Sequence, residues 1–192
     1  MRVIAGEAKG RGLFPVPGET TRPITDRVKA SLFNILAPSV PEARFLDLFA
    51  GTGGVGIEAL SRGASEAVFV ERDQRALATI RRNLEVTGLA ARARVVKADV
   101  FKFIAGYSGP PFDIIYVAPP QYQRLWARAL LDLDKSSLAS PGTLIVAQIY
   151  PKEFESLDLS LLALVDQRKY GSTLLCFYEV GQARPATTPR SG

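Results

Sequence analysis

The residues whose types and spacing could do chemistry together fall into three groups. The first is a glycine-rich turn, Gly51-Thr52-Gly53-Gly54-Val55-Gly56, preceded by the apolar run Phe45-Leu46-Asp47-Leu48-Phe49-Ala50. Glycines at 51, 53 and 56 let the backbone turn tightly and approach a ligand where side chains would clash. Taken alone, that spacing also serves nicotinamide and flavin cofactors held through a pyrophosphate at a helix N-terminus, or a merely tight strand-to-helix connection. The second group is acidic. Asp47 lies inside the strand, where a buried carboxylate is costly unless it holds the turn's amides, as a structural cap, or a cationic ligand. Glu71 closes the next apolar run, Ala67-Val68-Phe69-Val70, where a carboxylate can accept hydrogen bonds from two ribose hydroxyls or simply end an exposed strand. An acid before the glycines and another after the second strand suit a charged amino-acid nucleoside such as S-adenosylmethionine. Asp99 follows the run at 93 to 97, so Asp99-Val100 meets either the adenine edge of that ligand or the first turn of a helix. The third group is the corner Ala118-Pro119-Pro120-Gln121-Tyr122. Two prolines directly after a buried strand make it rigid and extended, and leave backbone carbonyls free to accept protons from an amine.

Composition narrows the chemistry these groups can perform. The 192 residues are 47% hydrophobic and 22% charged, which implies one soluble domain with a sizeable core. Histidine is absent, which excludes imidazole bases, imidazole metal ligands and serine-histidine triads. Chemistry must run on carboxylates, amides, backbone groups or a cofactor, and no metal is expected. The single cysteine, Cys176, sits in the apolar run Thr173-Leu174-Leu175-Cys176-Phe177-Tyr178 and is expected to be buried rather than reactive. No apolar run is of membrane-spanning length, and Met1-Arg2-Val3-Ile4-Ala5-Gly6-Glu7 lacks a signal-peptide pattern, so a cytoplasmic protein is expected. A net charge of +5 favours a polyanionic partner.

From position 44 the pattern alternates strand and helix, which implies an α/β fold with a mostly parallel sheet covered on both faces. The expected strands are 44 to 49, 66 to 71, 93 to 97, 112 to 117 and 143 to 149. The expected helices are 54 to 62, roughly 74 to 87 and roughly 123 to 133. Leu164 to Tyr170 and Ser172 to Val180 read as an antiparallel pair at the sheet edge, joined at Gly171. Before the sheet, Val28, Leu32, Phe33 and Ile35-Leu36 recur at helical spacing, with Thr25 or Asp26 as N-cap and Pro38 as stop. That helix would place Arg22 or Arg27 at the mouth of the cofactor site. Residues 1 to 22 read as a projecting β-hairpin extension around the basic turn Lys9-Gly10-Arg11-Gly12. Six basic residues in the first 30 (Arg2, Lys9, Arg11, Arg22, Arg27, Lys29) stand against Glu7, Glu19 and Asp26, and Lys9 and Arg11 flanking glycine suit phosphate contacts. The α/β domain carrying the glycine turn would span 23 to 180, and residues 181 to 192 a flexible tail.

Together these residues resemble the 16S rRNA guanine-N2 methyltransferase family called RsmD, within the class I S-adenosylmethionine-dependent methyltransferases. The resemblance covers the chain to about residue 180. It rests on Arg2-Val3-Ile4-Ala5-Gly6 with Lys9-Gly10-Arg11, on Arg22-Pro23-x-Thr25-Asp26-Arg27-Val28, and on Asp47-Leu48-Phe49-Ala50-Gly51-Thr52-Gly53 continuing through Gly56-x-Glu58-Ala59-Leu60-Ser61-Arg62-Gly63. It implies a Rossmann-like methyltransferase sheet with an antiparallel C-terminal hairpin, acting as a monomer on 16S rRNA or the assembling small ribosomal subunit. The cofactor would be held by Asp47, Phe49, Ala50, Gly51, Thr52, Gly53, Gly56, Glu71, Arg72, Asp99 and Val100. RNA would be gripped by Lys9, Arg11, Arg22, Arg27 and Lys29. Most members carry Asp-Pro-Pro-Phe or Asp-Pro-Pro-Tyr where this chain has Ala118-Pro119-Pro120-Gln121, with its aromatic one place later at Tyr122. The Ala118 or Pro119 carbonyl and the Gln121 amide oxygen then become the expected acceptors for the target amine, and Tyr122 a platform for an extruded base. A catalytically impaired RNA- or cofactor-binding assembly factor, or a methyltransferase for another RNA, DNA or protein amine, are the alternatives.

Overall fold

The computed structural model describes residues 1–18 and 24–181. The expected contact Arg22 and the stretch from 182 onward lie outside the described residues. Strands β1 (Arg44–Leu48), β2 (Glu66–Glu71), β3 (Ala93–Lys97), β4 (Ile114–Val117), β5 (Leu144–Ile149), β6 (Leu162–Tyr170) and β7 (Thr173–Val180) form one sheet in the order β3-β2-β1-β4-β5-β7-β6. β1 to β5 pair in parallel, and β7 runs antiparallel between β5 and β6. Helices α1 (Asp26–Leu36), α2 (Gly54–Ser61), α3 (Gln74–Thr87), α4 (Val100–Gly106) and α5 (Leu125–Leu133) flank it.

Local chemistry sets most element ends. Thr25 accepts from the Val28 amide to start α1, Asp73 accepts from the Arg75 and Ala76 amides to start α3, and Gly88 ends α3 at φ 74°. β4 is buried along its whole length, as a central parallel strand covered on both faces must be. It begins two residues later than the apolar run suggests, and just before it the Asp113 carboxylate accepts the Arg44 amide. α4 was not anticipated from periodicity, being only seven residues long.

Alternate strand residues feed two cores. On one face Phe45, Phe69 and Tyr116 meet Leu32, Phe33, Ile57 and Ile80 of α1, α2 and α3. On the other, Leu46, Leu48, Val68 and Ile115 meet Ile104, Trp126 and Leu130 of α4 and α5. Cys176 is buried in the second core, as its apolar run implies.

The N-terminal extension differs from expectation. Its hairpin is reduced to a single antiparallel bridge, Arg2 with Gly12, and it does not project. Val3, Ala8 and Leu13 are buried in the first core. Backbone amides without strand partners find acceptors on α2 instead: Ile4 and Ala5 donate to the Glu58 carboxylate at 2.8 and 3.0 Å, and Ala8 donates to Ser61 Oγ at 3.0 Å.

Candidate functional site

A cavity of about 710 Å³ opens at the carboxyl ends of β1 and β4, where the strand order reverses direction. That switch point is where open α/β sheets take ligands. Of the residues anticipated for a cofactor, Asp47, Phe49, Ala50, Gly51, Thr52, Glu71, Arg72, Asp99 and Val100 all line it.

Gly53 and Gly56 are not on the wall. Gly53 is the N-cap of α2 at φ 74°, a left-handed conformation that favours glycine. Gly56 lies beneath the turn, where an added Cβ would come within 2.4 Å of Phe69 Cε1. Both glycines therefore shape the turn from below: the close approach they permit is helix to strand, not backbone to ligand. Phe49 is also left-handed, at φ 62°, which is uncommon for an aromatic residue. Its ring meets Phe101 edge-on at 6.1 Å.

The carboxylates divide their work between backbone and cavity. Asp47 is 2% exposed, and its Oδ2 accepts the Gly56 amide at 3.0 Å. Burial pushes its carboxyl up to about 8, opposed by that amide and reinforced by the charge of Glu71. Asp47 has no cationic partner among the described residues. Glu71 accepts from the Gly51 amide through Oε2 at 3.0 Å and from the Arg72 and Asp73 amides through Oε1 at 2.7 and 2.9 Å, tying the glycine turn to the end of β2. Asp99 caps α4, its Oδ1 accepting from Phe101 and Lys102 at 3.0 and 3.2 Å, so the helix-cap reading holds while the residue also faces the cavity. Asp73, not anticipated, lines the same half, with the Arg75 guanidinium and neighbouring amides holding its carboxyl down at about 2.

The opposite half of the cavity is chemically different. Ala118, Pro119, Pro120 and Gln121 line it as expected, joined by Tyr116, Gln123 and Gln148, which sequence reasoning missed. The signal for Gln148 was a lone polar residue in the apolar strand Leu144-Ile145-Val146-Ala147-Gln148-Ile149. Burial holds the Tyr116 phenol well above its ordinary range, so this half carries amides and a neutral hydroxyl in place of carboxylates. Tyr122 does not line the cavity. It is 69% exposed at φ 62°, its amide donates to Glu153 at 2.6 Å, and its ring lies 5.6 Å from Tyr150.

Among the residues expected to meet RNA, Lys9, Arg11 and Arg27 are exposed. Lys29 is a correction: it is 0% exposed, its Nζ lies 3.1 Å from Glu58 Oε2 and donates to the Arg2 carbonyl at 2.6 Å. A buried cation needs a partner, and Glu58 supplies it from α2.

A seven-stranded sheet in this order with one reversed strand, and a nucleoside-sized, acid-rimmed cavity at its switch point, is the class I methyltransferase architecture. The family model described as "Conserved hypothetical protein 95" matches residues 1–179, and the chain belongs to that family, the RsmD family. It is 39% identical over 183 residues to the putative rRNA methyltransferase YlbH of Bacillus subtilis, covering 93% of this chain and 98% of that one. It is 45% identical over 145 residues to ribosomal RNA small subunit methyltransferase D of Escherichia coli K12, covering 75% and 69%. The solved structure of the putative methyltransferase yhhF from Escherichia coli matches with a TM-score of 0.82 at 32% identity, covering 94% of this chain and 97% of that one.

Proposed function

We propose that the protein transfers a methyl group from S-adenosylmethionine to the exocyclic N2 of a guanine in 16S rRNA, acting as a monomer in the cytoplasm on the RNA or the assembling small subunit. The observation that carries this reading is the division of one cavity into a carboxylate half and an uncharged amide half that meet at the Ala118-Pro119 corner.

The carboxylate half fits the cofactor. Asp47 is buried without a cationic partner among the described residues, and a ligand bearing positive charge would supply one. Glu71 and Asp99 offer acceptors for hydroxyl and amino groups, the walls of Phe49, Ala50 and Val100 are apolar, and Gly51, Thr52 and Arg72 complete the site. Gly53 and Gly56 support it from beneath. When bound, the cofactor supplies an electrophilic methyl on a sulfonium.

The remaining work falls to the chain's own groups. Guanine N2 is a poor nucleophile because its lone pair is delocalised into the ring, so acceptors that hold its two hydrogens help it rehybridise. The Ala118 and Pro119 carbonyls and the Gln121 side chain, on residues that line the cavity, would be those acceptors. The methylated amine would carry one surplus proton, which these acceptors would hold until water takes it. No strong base is required, because holding donor and acceptor in line accounts for much of the acceleration. Exposed Lys9, Arg11 and Arg27, with Arg22, would grip phosphates, and Tyr122 at the rim is accessible to stack on an extruded base.

Transfer of labelled methyl to small subunits lacking the modification, followed by nucleoside analysis, tests the reading: N2-methylguanosine is expected. Gln121→Ala should slow turnover roughly a hundredfold, the loss of one preorganised hydrogen bond. Cofactor binding without any incorporation would overturn the activity in favour of an RNA-binding assembly factor.

A further inference from the structure

Gln148 stands at the end of β5, beside the corner. Val117 pairs with Ala147, so the next residues along, Ala118 and Gln148, are neighbours one strand apart, on the same face as Tyr116 and Val146. Ala118, Pro119 and Pro120 have no polar side-chain atoms, and Gln148 is the polar residue beside them on β5. The buried Tyr116 hydroxyl donates to Gln148 Oε1 and has no second hydrogen-bond partner among the described residues. In this bond Tyr116 donates and the Gln148 oxygen accepts, which turns the carboxamide nitrogen away from the phenol. The nitrogen, with no hydrogen-bond partner among the described residues, is left for the cavity that Gln148 lines.

We propose that Gln148 reads the target base: pinned through its oxygen by Tyr116, it donates from Nε2 to the ring nitrogen beside the reacting amine, N3 of guanine. The inference rests on the activity proposed above and names a specificity-determining contact within it. Adjacent strands lie about 4.8 Å apart, a spacing that lets one strand hold the amine at the corner carbonyls while its neighbour meets the acceptor next to it. Of guanine's acceptors N3 is bonded to the carbon that carries N2, while O6 and N7 lie farther round the ring. A site built to donate at N3 rejects a base that lacks an acceptor there, since the buried donor is left unpaired.

The experiment compares wild type, Gln148→Leu, Gln148→Glu and Tyr116→Phe on small-subunit particles reconstituted with either guanosine or 3-deazaguanosine at the nucleotide that methyl mapping identifies. On 3-deazaguanosine, wild-type kcat/KM should fall about tenfold to a hundredfold. Gln148→Leu and Gln148→Glu should lose a similar factor on guanosine, lose nothing further on 3-deazaguanosine, and keep cofactor affinity; Gln148→Glu, which still accepts from Tyr116, should also keep the thermal midpoint, whereas Gln148→Leu strands the buried phenol and should lower it. Tyr116→Phe should fall between, because the amide survives but is free to turn. The proposal is overturned if Gln148→Leu still discriminates between the two bases as wild type does, or if its cofactor affinity falls in step with turnover. Wild type that yields no N2-methylguanosine on guanosine particles would sink the activity itself, a different failure from the loss of this contact.

Discussion

Asp47 is the residue at which burial and ligand charge compete. With its carboxyl pushed up to about 8, it is mostly protonated near neutral pH. A cation brought beside it favours the carboxylate, so binding drives a proton off. Cofactor affinity should therefore rise with pH, by up to about tenfold per unit, and level off above about 8. Asp47→Asn should flatten that slope, and calorimetry in buffers of different ionisation heat reads the released proton. The same group affects stability with a definite sign. Its folded value lies above the unfolded value of about 3.9, so the free protein loses stability as pH climbs from about 4 to about 8 and no further beyond. Lys29 poses the opposite case. Burial pulls its ammonium down while Glu58 opposes that pull, and Arg62 shares the same carboxylate at 2.8 Å. Lys29→Met should cost about 1 to 3 kcal/mol in denaturant unfolding, because Glu58 loses one of its two cations while keeping Arg62 and the Ile4 and Ala5 amides, and should leave the salt dependence of RNA affinity unchanged. The sequence makes Lys29 look like a surface cation among others, because nothing near it in the chain announces that Glu58 will face it.

The N-terminal segment and the glycine turn behave as one element. Asn83 of α3 accepts from the Phe14 amide at 2.8 Å and donates to the Phe14 and Thr52 carbonyls at 3.1 and 2.9 Å. The extension is thereby fastened to the turn that shapes the cofactor cavity, while its tip, Lys9-Gly10-Arg11, stays at the surface. Replacing Lys9 and Arg11 together with Ala should weaken RNA binding and lower the slope of log affinity against log salt by roughly two, one for each lost phosphate contact, with cofactor affinity intact. Filter binding across a salt series measures both. Its basic turn and antiparallel pairing were legible in the sequence. Its docking on α2 was not, since Glu58 and Ser61 are ordinary helix residues until the fold brings the orphan amides of Ile4, Ala5 and Ala8 against them.

At the scale of the whole molecule, one buried residue ties the C-terminal pair to the rest. Asp134, just after α5, accepts from the Ser160, Leu161 and Leu162 amides at 2.8, 2.8 and 2.7 Å where the chain enters β6. Burial pushes its carboxyl up, but the three amides outweigh it and hold it below the usual carboxylate range. Asp134→Ala should cost about 2 to 4 kcal/mol by leaving buried donors unpaired. The contribution is full above the unfolded value of about 3.9 and is lost as pH falls through the lower folded value, so wild type and variant should converge in acid unfolding.

The sequence by itself determined what depends on neighbours a few residues apart: the glycine turn, the helix caps at Thr25 and Asp99, the buried parallel strands, and the acids that end β2 and precede α4. Periodicity and capping act over one or two turns of chain, and a reader of the sequence sees them whole. Only the tertiary structure decided which groups share a wall. Tyr116 and Gln148 are 32 residues apart and meet because β5 pairs with β4 in one register, and a slip of one residue would turn Gln148 to the other face. The split of the cavity into a charged half and an amide half follows from that pairing, and no spacing along the chain encodes it.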